Sequence, residues 1–153
     1  MSTATAPIAG PLKLGIQLCR RGDWQNGLAY LERARYEMKG DGLPSLFFSY
    51  YGHALARCQR RHEEALALCE RAIELEFYHV EHYVNLAGVH ALRKDRKRAL
   101  DAVKRGLAVE PANARLLALQ GKLNEEAYPP VLAFLPREHV INRWLGKRRA
   151  NAK

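Results

Sequence analysis

Apolar side chains along this chain recur three and four residues apart, with polar residues between them, and no stretch shows strand-like alternation. That period predicts helices from about Leu12 to Glu126. The pattern also repeats itself. "HEEALALCERAIELEF" at 62–77 and "RKRALDAVKRGLAVEP" at 96–111 align without gaps at an offset of 34, so that Ala65 meets Ala99, Leu66 meets Leu100, Ala72 meets Gly106 and Phe77 meets Pro111. Upstream, "DWQNGLAYLERARYEMKG" carries the same pattern at Gly27, Leu28, Leu31 and Ala34, and Gly27 precedes Ala65 by 38 residues. One extra residue belongs in or just after the first helix of the second unit, because Gly15 to Gly27 and Ala87 to Ala99 are 12 apart whereas Gly52 to Ala65 is 13. The others fall in "KGDGLPS", a connection rich in glycine where insertion costs little.

Each unit thus predicts two helices. Gly15, Gly52 and Ala87 in the first helices, and Gly27, Ala65 and Ala99 in the second, let paired backbones approach while Leu, Tyr and Phe fill the layers between. Pro111 closes the third unit by removing a helix donor. On these small residues, the large apolar residues and the closing "EPANA", the chain resembles the tetratricopeptide repeat, a helix-turn-helix unit of about 34 residues. Phe77 in place of the usual closing proline, Gly106 in place of alanine, and Lys39-Gly40 at the end of the first unit depart from that pattern.

The resemblance implies an all-α, right-handed helical-repeat solenoid of three helix pairs, with Ala112 to Glu126 as a capping helix that covers the open end. It divides the chain into an N-terminus, 1–11, expected to be flexible, a repeat domain, 12–127, and a Pro-containing basic tail, 128–153. First helices of this family line a concave groove that receives extended peptides or a helix. Carried over, the groove includes Ile16, Arg20, Leu46, Tyr50, His53, Arg57, Asn85, Gly88, Leu92, Arg115, Leu119 and Lys122. Its mixture of aromatic, aliphatic and cationic residues suits an apolar or acidic segment of another protein, with Tyr and Arg as the strongest contacts. The lysine-and-asparagine clamp that some relatives use for acidic C-termini is not expected. Asn85 could supply one element, but Glu81 stands where a cation is needed, and Leu12 and Ile16 replace the first repeat's pair.

The net charge of +9 raises the question of an anionic partner. From Arg137 to Lys153 there are six basic residues against one acidic, so the tail holds more than half of that excess. Within the repeats, Arg20 and Arg21, Arg57, Arg60 and Arg61, and Arg93, Lys94, Arg96, Lys97 and Arg98 fall between the helices of their units and predict a basic edge. The opposite edge collects Glu37, Asp41, Glu74, Glu76, Glu81 and Glu110. Such turns are either solvated cations near helix C-termini, worth about 0.3–1 kcal/mol each at low salt, or an edge for docking an anion. Nucleic acid is not the expected partner, since no recognised module accompanies the charge.

Tyr128, Pro129 and Pro130 end the capping helix; Val131, Leu132, Phe134 and Leu135 follow, and Pro136 breaks the segment again. A short helix over Glu138 to Lys147 would place Val140, Ile141, Trp144 and Leu145 on one side. It would need a partner surface to form. The tail, with Phe134, Leu135, Trp144 and Leu145 as its anchors, is expected either to cover its own array or to serve as a second interaction element.

Motifs of catalysis are missing: there is no glycine-rich phosphate loop, no Gly-x-Ser-x-Gly and no nucleophile–base pair. His79 and His82 lack the further ligands a metal site needs. Cys58 beside Arg57, Arg60 and Arg61 has surroundings that could lower its pKa, but Cys19, Cys58 and Cys69 lack Cys-x-x-Cys spacing and read as reduced packing residues. No secretory signal or bilayer-length apolar run is apparent, which places the expectation in the cytoplasm. The reading is therefore a non-catalytic scaffold or adaptor without cofactor or metal. A basic-edge module and a self-associating structural protein, its homo-oligomers built through open ends and an apolar tail, are the alternatives.

Overall fold

A computed structural model describes residues 10–38 and 42–127, together with Arg143 and Lys147. The regular elements are α1 (Gly10–Arg20), α2 (Trp24–Glu37), α3 (Ser45–Gln59), α4 (His62–Leu75), α5 (Val80–Leu92), α6 (Arg96–Val109) and α7 (Ala114–Ala127), and among the described residues there is no strand. Arg143 and Lys147 are helical and exposed. The tail anchors Phe134, Leu135, Trp144 and Leu145 lie outside the described residues, as does the N-terminal segment before Gly10.

Helix ends follow the repeat even where the sequence departs from it. The second helices stop at Glu37, Leu75 and Val109, spaced by the same 38 and 34 residues as the pattern. Phe77 therefore ends its unit in the register that Pro111 sets for the next. Each turn inside a unit contains a residue in the left-handed region at the matching position: Gly22 (φ 87°), Arg60 (φ 57°) and Lys94 (φ 61°). Gly22 adopts that conformation at no steric cost, whereas Arg60 and Lys94 hold it against their Cβ atoms. Asp23 and Asp95 cap α2 and α6 by accepting from the amides of Asn26 and Arg98 at 3.3 and 3.1 Å, while Arg61, in the same register, gives α4 no side-chain cap.

The extra residue of the second unit lies inside α3. The amide of Arg60 reaches back five residues to the carbonyl of Leu55, where Arg93 reaches back four to Val89, so a wide last turn absorbs it.

Small residues hold the pairs together. A Cβ on Gly52 would stand 2.8 Å from the Ala65 carbonyl oxygen, and one on Gly27 would stand 2.4 Å from Cys19 Sγ. Gly106 sits where Tyr83 and Leu116 close in from either side. A Cβ there would stand 2.7 and 2.6 Å from them, which leaves no room for the alanine of the general pattern.

First helices touch one another along the array, α1 with α3, α3 with α5 and α5 with α7, whereas among the described residues the backbones of α2 and α4, and of α4 and α6, stay apart, the last two linked by the Arg105–Glu70 ion pair (3.5 Å). The stack therefore bends with its first helices on the inner side. Two apolar clusters form the core, one around Leu28, Leu31, Phe47 and Leu55, the other around Leu86, Val89, Val103 and Leu116. They meet at α3 and α5, where a buried polar seam crosses the interior. His53 Nδ1 donates to Asn85 Oδ1 (3.0 Å), Asn85 Nδ2 donates to Ser49 Oγ (3.3 Å), and His82 Nδ1 lies 3.0 Å from the same hydroxyl. The other nitrogen of His82 has no partner among the described residues.

Candidate partner-binding groove

Residues expected to line the groove do converge on the inner face, but at different depths. Tyr50 and Asn85 are fully enclosed and His53 and Ile16 nearly so, whereas Arg20, Arg57, Leu92, Arg115 and Lys122 are exposed, and Leu46 and Leu119 are half-buried. Two hollows separate them. A cavity of about 280 Å³ between α1 and α3 is lined by Leu12, Ile16, Pro44 and Leu46, with Lys13, Gln17 and Arg20 around it. A second, of about 300 Å³, spans α3, α5 and α7 over Val84, Gly88, Ala91, Leu92, Leu119 and Leu123, with His53, Arg57 and Lys122 around it. Pattern reading missed Val84, Ala91 and Leu123. The first two stand four residues before and three after Gly88, and Leu123 four after Leu119, so helical spacing from residues already on the face would have found them.

Between the hollows stands a bridge across the first helices of all three units. Arg20 Nη2 donates to Glu81 Oε1 (2.7 Å), Arg20 Nε to the Tyr50 hydroxyl (3.2 Å), and that hydroxyl to Glu81 Oε2 (2.5 Å). Glu81 was expected on the acidic edge. It turns instead into the groove, because two donors from neighbouring units converge there. Burial raises the Glu81 pKa, but the Tyr50 hydroxyl, Arg20 and Arg115 outweigh it and leave the carboxyl below its usual value. Burial and Glu81 together push Tyr50 up, against Arg115 and Arg20. The bridge is thus an ion pair at neutral pH.

His53 presses against Trp24, with ring centroids 4.2 Å apart, and the Arg57 guanidinium covers the same indole at 5.5 Å. Burial drives the His53 pKa down to about 4, with Asn85 opposing and Arg57 and Arg115 assisting, so the imidazole facing the second hollow is neutral.

The basic edge is less free than its charge count implies. Arg93 pairs with Glu63 (3.0 Å), Arg61 with Glu64 and Arg98 with Asp95 (3.6 Å), while Arg96 donates to the Leu123 carbonyl (2.9 Å) and Asn124 (3.2 Å), tying α6 to α7. Arg60, Lys94 and Lys97 are exposed and take part in none of these pairs. Cys58, whose cationic neighbours could have lowered its pKa, is shifted up instead, because burial exceeds the effect of Arg57. Cys19 and Cys69 are buried and likewise raised, Cys19 to about 12. His79 and His82 stack at 5.0 Å, and no group of three or more metal-ligating side chains occurs among the described residues. No described helix is long and apolar enough to cross a membrane.

These features define a helical-repeat solenoid with a hollowed inner face. Comparison with solved structures makes the class specific: the chain has the tetratricopeptide-repeat fold. The first TPR domain of the human RPAP3 protein superimposes with a TM-score of 0.62 at 15% identity, covering 78% of this chain and 91% of that one. TTC0263, a thermophilic TPR protein of Thermus thermophilus, gives 0.65 at 18% identity over 78% of this chain and 66% of that one. The first TPR of Spaghetti (RPAP3), bound to an HSP90 peptide, gives 0.60 at 15% identity over 80% and 94%. No family model and no curated protein matches the sequence.

Proposed function

We propose that the protein is a non-catalytic interaction module that holds an apolar, acidic segment of a partner protein along its inner face. The observation that carries this reading is the hollow over Val84, Leu92, Leu119 and Leu123, whose apolar floor is bordered by the exposed cations Arg57 and Lys122. Such a site buries aliphatic anchors and places carboxylates of the ligand opposite those cations. Peptide binding by a protein of the same fold supports the reading by analogy. Tyr50 and Asn85 then act from beneath, shaping the floor.

Affinity capture with full-length protein tests it, using Leu92→Asp and Lys122→Glu, which alter exposed side chains of the groove. Specific partners should be lost with both variants while thermal stability is kept. Retention of every partner by both would refute the groove.

A second reading, self-association, draws on a different surface. Leu75, Phe77 and Tyr78 are 54%, 69% and 63% exposed together at the α4–α5 turn. Sedimentation at two concentrations separates it from the first.

A further inference from the structure

The outer side of the array carries a hollow that the groove does not use. It measures about 320 Å³ and lies between α4 and α6, over Leu66, Leu86 and Ala102. Leu86 and His90 line it from the face of α5 opposite Val84 and Gly88, so hollow and groove share no lining residue. One unit earlier the same place is filled. Tyr51 precedes Gly52 as Leu86 precedes Ala87, which gives the two residues one register position. Tyr51 is 3% exposed, stacks on Phe47 with ring centroids 5.1 Å apart, and lies under the Arg35 guanidinium at 5.5 Å. Burial raises its pKa, while the charges of Arg35, Glu32, Arg61 and Glu64 reach it from α2 and from the start of α4. Glu32 and Glu64 correspond, at offsets of 38 and 34, to Glu70 and Arg98, which stand at the hollow. The Tyr51 phenol therefore occupies between α2 and α4 the space that stays open between α4 and α6, where Leu86 is too short to fill it.

We propose that this outer hollow receives a tyrosine side chain of a partner protein, which supplies the ring that α3 provides for itself with Tyr51. Leu66, Leu86 and Ala102 give the ring an apolar floor. Around them Arg98 and Arg105 balance Glu70 and Asp101, and the cations are already engaged: Arg105 pairs with Glu70 at 3.5 Å and covers Tyr83 at 5.4 Å, while Arg98 pairs with Asp95 at 3.6 Å. A neutral ring matches such a rim, whereas an anion finds no free cation. His90 selects tyrosine over phenylalanine. It stands where α3 has Leu55, is 7% exposed, and its ring makes no hydrogen bond among the described residues. Its Nδ1 is enclosed, which leaves Nε2 to meet a ligand. Burial lowers the His90 pKa, against Asp95 and Glu70 and together with Arg98 and Arg93, so the imidazole is neutral at neutral pH. A phenol hydroxyl suits either tautomer, because it both donates and accepts. This outer contact adds to the interaction module and does not depend on the groove.

N-acetyl-tyrosinamide, a tyrosine residue without terminal charges, tests the site when titrated into the isotope-labelled full-length chain and followed by amide shifts. It should move the amides of Leu66, Leu86, His90 and Ala102, and bind about fivefold more tightly than N-acetyl-phenylalaninamide, which lacks the hydroxyl. In His90→Leu, which installs the residue α3 has there, that preference should vanish while both probes still bind. Leu86→Tyr fills the hollow from within and should abolish the shifts; the His90→Leu comparison does not depend on how that variant folds. Equal affinities in wild type, a preference that survives His90→Leu, or shifts confined to Val84, Leu92 and Leu119 overturn the proposal. Free tyrosine binding about tenfold more tightly than the blocked residue would make the ligand an amino acid rather than a protein and overturns it as well. So does self-association in sedimentation that Leu86→Tyr removes, since the occupant is then a second copy of the chain. The variants at 86 and 90 leave Leu92 and Lys122 intact, so this site and the groove fail independently.

Discussion

Gly52 and Gly121 occupy the same position of the second and fourth units, yet replacing each by alanine should have opposite effects. In an exposed helix interior the exchange gains about 0.8–1 kcal/mol, because alanine has less backbone freedom to lose. At Gly121 no atom of the described residues stands within 4 Å of the new Cβ, so the gain should appear in full. At Gly52 the Cβ would meet the Ala65 carbonyl oxygen at 2.8 Å, the Leu68 Cβ at 3.1 Å and Cys69 Sγ at 3.3 Å. The first of these is backbone of α4 and cannot swing aside as a side chain could. Overpacking of this kind costs about 1–3 kcal/mol. Set against the same helical gain, it leaves Gly52→Ala about 1 kcal/mol less stable than wild type.

The two variants should therefore differ by about 2 kcal/mol, or roughly 4–8 °C in melting temperature for a chain of this size. Circular dichroism at the helical band during heating, repeated as urea titrations, measures both. If Gly52→Ala melts as high as Gly121→Ala, close approach of α3 and α4 does not limit this position, and the role given to the small residues of the repeat is wrong.

Two further outcomes follow from single residues. Arg61→Asp supplies the N-cap that α2 and α6 have and α4 lacks, and should stabilise the protein by about 0.5–1 kcal/mol, since the exposed Arg61–Glu64 pair it removes is worth little; an unchanged urea midpoint would refute the capping argument. His53 and His82 are held neutral with pKa values of about 4 against an ordinary 6.5. Between those values the unfolded chain binds protons that the folded one does not, so stability present above pH 7 is lost as pH falls. For His53 the loss is about 2 kcal/mol by pH 5, with His82 acting in the same direction; a urea midpoint constant from pH 7.5 to 5 would contradict it.

Spacing alone carried the architecture. Residues 34 and 38 apart keep their register to the last helical residue, and Gly27 and Gly52 face the backbones their positions call for. Depth was not legible. Tyr50 and Arg57 are seven residues apart on one helix face, yet the first is enclosed and the second exposed. Periodicity reports direction around a helix axis, whereas enclosure depends on what neighbouring units bring. Arg20 and Glu81 bury Tyr50, and they lie 30 and 31 residues away in either direction. Charge runs misled for the same reason. Arg93 and Arg96 look like solvated turn residues in sequence, but Glu63 and the end of α7 reach them only in the folded stack.

The Arg20–Tyr50–Glu81 bridge bears directly on what the groove can select. Because its pKa lies below the usual value, Glu81 stays ionised and cancels Arg20, which leaves the pair without net charge at mid-groove, with Arg115 approaching from α7. Cations left to meet a ligand are then Lys13 beside the first hollow and Arg57 and Lys122 beside the second. An acidic segment laid along the inner face would gain beside Lys13 and beside Lys122 and meet a carboxylate at the middle. A uniformly acidic tail thus fits poorly, and Leu12 and Ile16 offer it no cation. The better match is a segment with an apolar anchor in each hollow, a neutral residue over the bridge, and its acidic residues kept to the ends, beside Lys13 or Lys122.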